Sequence, residues 1–451
     1  MRHRTAHTGP MSMRTFLTVW AGQLVSITGT SLTGFALEVW VYLETGSVTR
    51  LALISLAYTL PSILLSPFAG ALVDRWDRRV TMLGADLLAG ASTLIIAVLY
   101  FTGYLEVWHL YLLSGFGALG NAFQAPAWMA AIPLLVPKKH LGRANGLVST
   151  NEAVALVAAP VIAGTMLATV GLGAVLLADV ATFLVAVATL AAVRFPAPPK
   201  GDHAPTGAVG ADVAAGWRYL RDRGGLLWLL TIYAGVNFVL SFSNVLLIPL
   251  IVSFTSEAVA GSVFSAAGVG ALVSSVVMST WGGPKRERIA WIMGGIAVGG
   301  LSVIVAGLRP PLLMITIGAV TLMLGSPVVN ATSQVIWQLK VAPEMQGRVF
   351  ALRRMVAQAA TPLALVLSGP LADRVFEPLL AARGALAGSV GRVIGTGPGR
   401  GIAFMFILAG LGMILLATAG WLHPRVRRIE EEIPDQIPDV APAVLPEQPA
   451  G

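Results

Sequence analysis

The sequence predicts an all-α integral membrane protein whose twelve transmembrane helices form two six-helix pseudo-repeats. Composition predicts the membrane, because 56% of the 451 residues are hydrophobic and 12% are charged, whereas about a quarter are charged in a soluble domain. A short sequence match between two loops predicts the repeats. Gly142-Arg143 closes the loop after the fourth apolar run, and Gly347-Arg348 closes the loop after the tenth. Their offset of 205 residues is what two parallel six-helix repeats require.

Twelve apolar runs are long enough to cross a bilayer, since a hydrocarbon core of about 30 Å needs about 20 helical residues. We number these predicted helices 1 to 12 along the chain. They cover residues 16–42, 48–72, 80–102, 107–133, 144–168, 171–193, 226–252, 257–281, 289–308, 310–340, 349–375 and 401–423.

The runs also predict how the chain is divided. The predicted segments are an N-terminal cytoplasmic tail, a first bundle, a cytoplasmic linker, a second bundle and an acidic, proline-rich disordered tail, at 1–15, 16–193, 194–225, 226–423 and 424–451. Within the linker, 211–223 is predicted to form a surface helix. The outer segment 375–400 is long and glycine-rich, and its spaced apolar residues indicate an interfacial amphipathic piece.

The chain has a net charge of +8, and the distribution of its basic residues indicates its orientation in the membrane. The net charge also raises the alternative of nucleic-acid binding, but the basic residues lie in short clusters between apolar runs and form no continuous face. Of the 30 Lys and Arg residues, 24 fall in segments on the side of the two termini. By the positive-inside rule, both termini are cytoplasmic in a multi-pass protein of the cell membrane. We therefore expect a monomer with the lipid bilayer, and no nucleic acid, as its partner.

Several chemistries are excluded by composition and motif. The chain has no cysteine, which removes thiolate catalysis and cysteine-based metal sites. Its six histidines are scattered, and it has no Gly-Lys dipeptide, which a phosphate-binding loop requires. The sequence thus predicts no catalytic residue, no metal site, no cofactor and no enzyme activity.

The loop between helices 2 and 3 carries a family resemblance. It reads Gly70-Ala71-Leu72-Val73-Asp74-Arg75-Trp76-Asp77-Arg78-Arg79. Together with twelve helices and a basic central linker, this loop resembles the major facilitator superfamily over residues 14–423. Asp77, at a position where many members carry glycine, and the glycine-rich entry to helix 12 are similar to the macrolide-efflux branch of drug:proton antiporters.

That resemblance implies a conformational latch. In the superfamily this loop clamps the cytoplasmic sides of the halves together in the outward-open state, which implies latch roles for Gly70, Asp74, Arg75, Arg78 and Arg79. Glycine permits close packing, and an aspartate at a helix end can face the positive N-terminus of another helix. The alternative is that these charges only anchor the loop among lipid headgroups.

A second sequence match relates the motif of the loop between helices 2 and 3 to the end of helix 11. Gly369-Pro-Leu371-Ala-Asp373-Arg374 repeats the pattern Gly70 to Arg75 at the outer end of helix 11. Nested inverted repeats place matching motifs on opposite membrane faces. The sequence assigns this second copy no role.

Four acids lie within predicted helices and are candidates for proton coupling, because a charged side chain at the bilayer centre costs about 2.5–3.5 kcal/mol and needs a partner or a watery cavity. They are Glu38, Asp86, Glu152 and Asp179. Glu152 and Asp179 lie nearest the midplane by residue count. We favour Glu152 and Glu38 for coupling; for Asp86 and Asp179 the alternative is structural hydrogen bonding inside the first half.

Polar residues recur on one face of helices 1, 4, 7 and 10, which the resemblance implies are the cavity-lining helices. The candidates for substrate contact are Gln23, Thr30 and Gly34 on helix 1, Asn121, Gln124 and Trp128 on helix 4, Asn237, Ser241 and Asn244 on helix 7, and Asn330, Gln334 and Gln338 on helix 10. Helical spacing puts each set on one face. The alternative is that they only bond helices to each other.

These features predict a secondary transporter that exports a bulky, small-molecule lipophilic drug or secondary metabolite by alternating access, in exchange for protons. Within transport, an exporter of a siderophore or peptide natural product is an alternative. A non-transporting membrane receptor or a membrane-embedded enzyme is another. A solvent-filled cavity closed at one end favours transport, whereas a fully packed bundle favours a receptor.

Overall fold

Helices account for nearly all of the described residues in the computed structural model. The structure describes residues 13–73, 76–137, 140–193, 195, 209–308 and 312–436. Within these ranges the secondary structure is helical and contains no strand.

In the described ranges, twelve long helices follow the predicted runs, and we label them α1 to α12 with the same numbers. Their bounds are Met13–Thr45, Val48–Val73, Arg78–Phe101, Val107–Leu135, Leu141–Thr169, Leu172–Ala192, Gly224–Val252, Glu257–Trp281, Arg288–Gly307, Leu312–Lys340, Pro343–Leu371 and Arg400–Leu422. The largest difference is at α11, which begins at Pro343 instead of 349. Proline suits the first turn of a helix, where its missing N–H needs no partner.

The described helices confirm a multi-pass membrane protein. Eleven of the described helices are long and apolar enough to cross a membrane. The remaining long helix, α4, has 29 residues and carries Asn121 and Gln124 near its middle, which lowers its apolar character. It packs against α2 and α3 like a member of the same bundle.

Packing between helices defines two bundles. In the first, α1 packs on α5 and α6, while α3 packs on α4 and α6. In the second, α7 packs on α11 and α12, and α9 packs on α10 and α12. The bundles meet chiefly along α5 with α8 and along α2 with α11. We call the face where α1 begins and α12 ends the inner face, and the opposite one the outer face.

The linker contributes a helix at the inner face, Val209–Arg221, close to the predicted surface helix. It lies against the start of α11. The N–H of Ala342 donates to the Tyr219 hydroxyl at 3.0 Å, and Leu220 is fully buried. This helix is therefore attached to the second bundle.

The tail needs a correction, because its first part is folded. Residues 424–436 include the short helices Pro424–Arg427 and Ile429–Glu432, although the sequence predicts disorder from 424 onward. Two apolar side chains, Val426 and Ile429, are fully buried. Residues 437–451 lie outside the described part of the chain.

Lys340, at the inner end of α10, explains why this tail segment holds its place. Its ammonium group is buried and donates to the Glu430 carbonyl at 2.7 Å and to the Ile433 carbonyl. It also forms an ion pair with Asp435 at 2.9 Å. A buried charge is costly without such partners. The tail therefore supplies the groups that stabilise the buried Lys340 ammonium, and composition alone does not predict this contact.

Candidate functional site

The two bundles are in close contact near the outer face along α5 and α8. A Cβ atom added at Gly261 would lie 2.1 Å from the Pro160 carbonyl oxygen, and one added at Gly164 would lie 2.5 Å from that of Glu257. We call this contact between α5 and α8 the glycine seam. The Val161 N–H donates across it to the Ser265 hydroxyl at 3.1 Å. Small residues thus let the helix backbones touch.

The same seam opens towards the inner face. Gly268 is the innermost α8 glycine in contact with α5, at Leu156. One turn further in, Glu152 lies on the same face of α5 as Leu156 and is exposed, as are Ser149 and Asn145. Along α5 and α8 the bundles are therefore in contact on the outer side and apart on the inner side.

A polar cavity of about 320 Å³ lies at mid-height in the first bundle, bounded by α1, α2, α3, α4 and α6. All five helices contribute polar side chains to its lining. They include Gln23, Thr30, Tyr58, Asp86, Thr93, Asn121, Gln124 and Asp179. Phe183, Leu37 and Ile96 add apolar wall. Such a mixture of apolar wall and few polar groups is typical of small-molecule sites.

Asp86 on α3 is held by two amides from neighbouring helices. Gln23 on α1 donates to its carboxylate at 3.0 Å, and Gln124 on α4 donates at 2.9 Å. The Gln124 amide also donates to the Gln23 carbonyl oxygen at 2.8 Å. Asp86 is 7% exposed. This triangle joins three helices around one carboxylate.

Asp179 on α6 is the second carboxylate of the cavity and is 2% exposed. The Thr93 hydroxyl of α3 donates to it at 2.9 Å. The α1 backbone passes close by, since a Cβ added at Gly29 would lie 2.9 Å from the Asp179 carboxylate. Neither Asp179 nor Asp86 has an ion-pair partner among the described residues.

The two glutamates favoured from the sequence lie elsewhere. Glu38 accepts a hydrogen bond from Ser55 at 2.5 Å, between α1 and α2, and does not line the cavity. Glu152 is exposed at the inner part of the α5 and α8 seam. The depth of a residue along a helix, judged from the sequence, does not show whether its side chain faces a contact between bundles or a cavity. The structure places Asp86 and Asp179 in the cavity and both glutamates outside it.

Five predicted substrate contacts in the first bundle line the cavity, namely Gln23, Thr30, Gly34, Asn121 and Gln124. The sixth, Trp128, does not. Its ring stacks on Phe16 with centroids 5.7 Å apart, and it belongs to a separate apolar cluster near the inner face.

In the second bundle most of the predicted polar residues bond within or between neighbouring helices. Asn237 donates to the Tyr233 carbonyl of its own helix, and Asn330 donates to Ser326. Ser241 bonds to Thr361 on α11. Asn244 and Gln338 are exposed. Their roles as substrate contacts stay predictions.

Arg353 on α11 is a charged residue that the sequence does not single out as a site. Its guanidinium donates to Gln334 at 2.6 Å and lies 5.3 Å from the Trp337 ring centroid and 5.8 Å from that of Tyr233. These contacts suit a cation–π arrangement. Its sequence neighbours Arg348 and Arg354 group it with the basic residues of the inner segment, so no sequence signal separates it from the charges that set orientation.

The loop after α2 is described only in part. Gly70 lies within α2, whereas Asp74 and Arg75 lie outside the described residues. Arg79 donates to the carbonyls of Leu190 at 3.0 Å and Ala191 at 2.7 Å, and so caps the end of α6 within the first bundle. Arg78 is half-buried. The latch role of these residues stays a prediction.

The described residues contain no group of three or more His, Asp or Glu residues that could hold a metal ion. The polar lining of the cavity consists of carboxylates, amides and hydroxyls. Such groups can bind protons and hydrogen-bonding substrates.

Known proteins are similar to this chain in sequence and in fold. The chain is 30% identical over 367 residues to macrolide efflux protein A of Streptococcus pyogenes, covering 80% of this chain and 90% of the relative. It is 27% identical over 381 residues to the multidrug efflux pump Tap of Mycobacterium tuberculosis, covering 82% of this chain and 88% of the relative.

Solved structures support the fold alone. A bacterial homologue of the human lysosomal transporter Spinster, in an inward-facing and unoccupied conformation, matches with a TM-score of 0.65 at 18% identity, covering 90% of this chain and 95% of that one. A mutant of the nucleoside transporter NupG matches with a TM-score of 0.70 at 11% identity, covering 90% and 98%.

The family is established by a direct match. The sequence profile of the Major Facilitator Superfamily matches residues 19–365, which favours transport over the receptor and enzyme alternatives. The chain belongs to the major facilitator superfamily and is a multi-pass membrane transporter, not an enzyme.

Proposed function

We propose that this transporter exports a bulky lipophilic drug or secondary metabolite of the macrolide type across the cell membrane in exchange for protons. It works as a monomer, with both termini in the cytoplasm. The names of the relatives support the substrate class, and the distribution of basic residues supports the orientation. With the inner side cytoplasmic, the seam between α5 and α8 opens towards the compartment from which an exporter loads.

The observation that carries this proposal is the pair of buried carboxylates in the cavity. Asp86 and Asp179 have hydrogen-bond donors but no cation beside them among the described residues. A charged carboxylate in the membrane interior is costly, so a proton or a cationic substrate group stabilises it. Exchange of one for the other couples the two movements.

The remaining lining fits an amphiphilic substrate. Tyr58 and Phe183 offer aromatic surface, and Thr30 and Asn121 offer hydrogen-bonding groups. Apolar contact supplies affinity, whereas a few polar groups fix orientation. We assign coupling to Asp86 and Asp179 in preference to Glu38 and Glu152, because the first two share the cavity.

Overexpression in a drug-sensitive host tests the substrate class. Cells that express the transporter should tolerate a macrolide better than cells carrying Asp86→Asn at equal membrane abundance. Equal susceptibility of the two strains and of an empty-vector strain to every macrolide in a panel would remove this substrate class.

Export of a siderophore or peptide natural product is the second candidate, and Arg353 favours it. A guanidinium bonded only to neutral groups among the described residues can bind a carboxylate or a catecholate in bidentate fashion. Arg353→Gln should then impair export of an anionic compound and spare a neutral or cationic one. Equal impairment of both classes would count against the second candidate.

A further inference from the structure

The outer end of α11 holds the start of α2 through one carboxylate. We propose that Asp373 is an outer latch, a contact between the bundles that stabilises the inward-open state and must break when the outer face opens. The proposal rests on the alternating access of the proposed function and is independent of the substrate and of protons.

Asp373 caps the first turn of α2. One carboxylate oxygen accepts the Val48 N–H at 3.0 Å, and the other accepts the Thr49 N–H at 2.9 Å and the Ser47 hydroxyl at 2.7 Å. The first N–H groups of a helix have no partner within the helix, and the helix dipole adds positive potential there. Asp373 and α2 belong to different bundles, so this cap crosses between them.

Gly369 makes the approach possible. A Cβ atom added there would lie 2.4 Å from the Thr49 Cα, so any side chain would push α11 away from α2. Gly369 and Asp373 are four residues apart and share one face of the chain. The same spacing recurs in the sequence at Gly70 and Asp74, as expected for inverted repeats.

A neighbouring carboxylate provides a natural contrast. Glu377 accepts the N–H groups of Gly399 at 3.1 Å and Ile402 at 2.9 Å, and so caps α12 inside its own bundle. A π-helical turn, residues 372–376, lies between α11 and Glu377. Both acids cap helix N-termini by the same chemistry. Opening the outer face must break the Asp373 contacts but can leave those of Glu377 intact.

Distances between spin labels test the latch, and the natural absence of cysteine lets labels be placed freely. Tyr104 and Val393 are exposed at the outer face on the two bundles, and Asn145 and Arg286 are exposed at the inner face. Cysteine pairs at these sites report each face separately by double electron–electron resonance. Asp373→Ala should lengthen the outer distance, shorten the inner one, and raise the ratio of outward-open to inward-open molecules about tenfold, which corresponds to about 1.4 kcal/mol.

Matched variants separate a latch from a general loss of structure. Glu377→Ala removes an equivalent cap within one bundle and should leave both distance distributions unchanged. Ser47→Ala removes one of the three donors and should shift the ratio in the same direction by less, even if Asp373→Ala assembles poorly. Combined with Asp373→Ala it should add nothing. Unchanged distributions in a folded Asp373→Ala variant, or an equal shift in Glu377→Ala, would overturn the proposal.

Discussion

The amide of Gln124 lies 2.9 Å from the carboxylate of Asp86, which links α4 to α3 at the wall of the cavity. The bond places a carboxylate between two amide donors, in a cavity that a second acid, Asp179, also lines. Two predictions concern this arrangement, and two more concern the glycine contacts between α5 and α8 and the folded part of the tail.

Asp86→Asn should separate coupling from folding. Asparagine keeps an acceptor for Gln23 and Gln124 but cannot take up or release a proton. We expect gradient-driven efflux to fall about tenfold or more, a loss of interaction free energy above about 1.4 kcal/mol, while substrate exchange without a gradient persists. Glu44→Gln makes the same chemical change at an exposed position of α1 and should transport normally. Loss of both efflux and exchange in Asp86→Asn would assign Asp86 to substrate binding alone.

The amide triangle should show energetic coupling. Gln23→Leu and Gln124→Leu each remove a donor to Asp86, and each should lower the free energy of unfolding in detergent by about 1 kcal/mol. Because both amides serve one carboxylate and also bond to each other, the double variant should lose a different amount from the sum. Strict additivity in a thermal unfolding series would mean that the two amides act independently.

The glycine seam should control closure of the outer face. Gly261→Val places side-chain atoms against the Pro160 carbonyl, so α5 and α8 cannot approach. We expect Ser265→Cys, buried in this seam, to react with an impermeant maleimide from outside faster in the Gly261→Val background. Gly294→Val is the matched control, since nothing lies within 4 Å of a Cβ at Gly294. Equal labelling rates in the two backgrounds would contradict the role of the seam.

The folded part of the tail should stabilise the second bundle. Truncation after His423 removes the partners of buried Lys340, and we expect a loss of about 3 kcal/mol or more, as when a buried pair is broken. Truncation after Gln436 keeps every one of these contacts and should melt like the full chain. Thermal unfolding of the purified proteins measures the difference. If the chain truncated after His423 melts at the same temperature as the chain truncated after Gln436, the tail does not stabilise the second bundle.

The fold could be predicted because it depends on length and apolarity. A run of about 20 apolar residues has few alternatives to a spanning helix, and the helix bounds follow from loop charges and prolines such as Pro343. The tail segment 424–436 could not be predicted, since its order depends on the buried ammonium of Lys340, a contact distant in sequence.

The cavity could be predicted only in part. Spacing on α1 and α4 correctly groups Gln23, Thr30 and Gln124, because one face of each helix meets the other within a single bundle. Depth along a helix does not give its rotation, so Glu152 and Asp86 could not be ranked. On α7 and α10, polar residues such as Asn237 and Asn330 bond to their own helices instead, an outcome that periodicity does not exclude.

If Asp86 and Asp179 couple proton entry to export, the flux of substrate must depend on the pH gradient. The most direct measurement is macrolide flux in proteoliposomes with an imposed pH gradient, for the wild-type chain and the double variant Asp86→Asn, Asp179→Asn. We expect flux that follows the gradient in the wild type, collapses with a protonophore, and is independent of the gradient in the double variant. Wild-type flux indifferent to the gradient, or a double variant that still follows it, would contradict coupling through these two carboxylates.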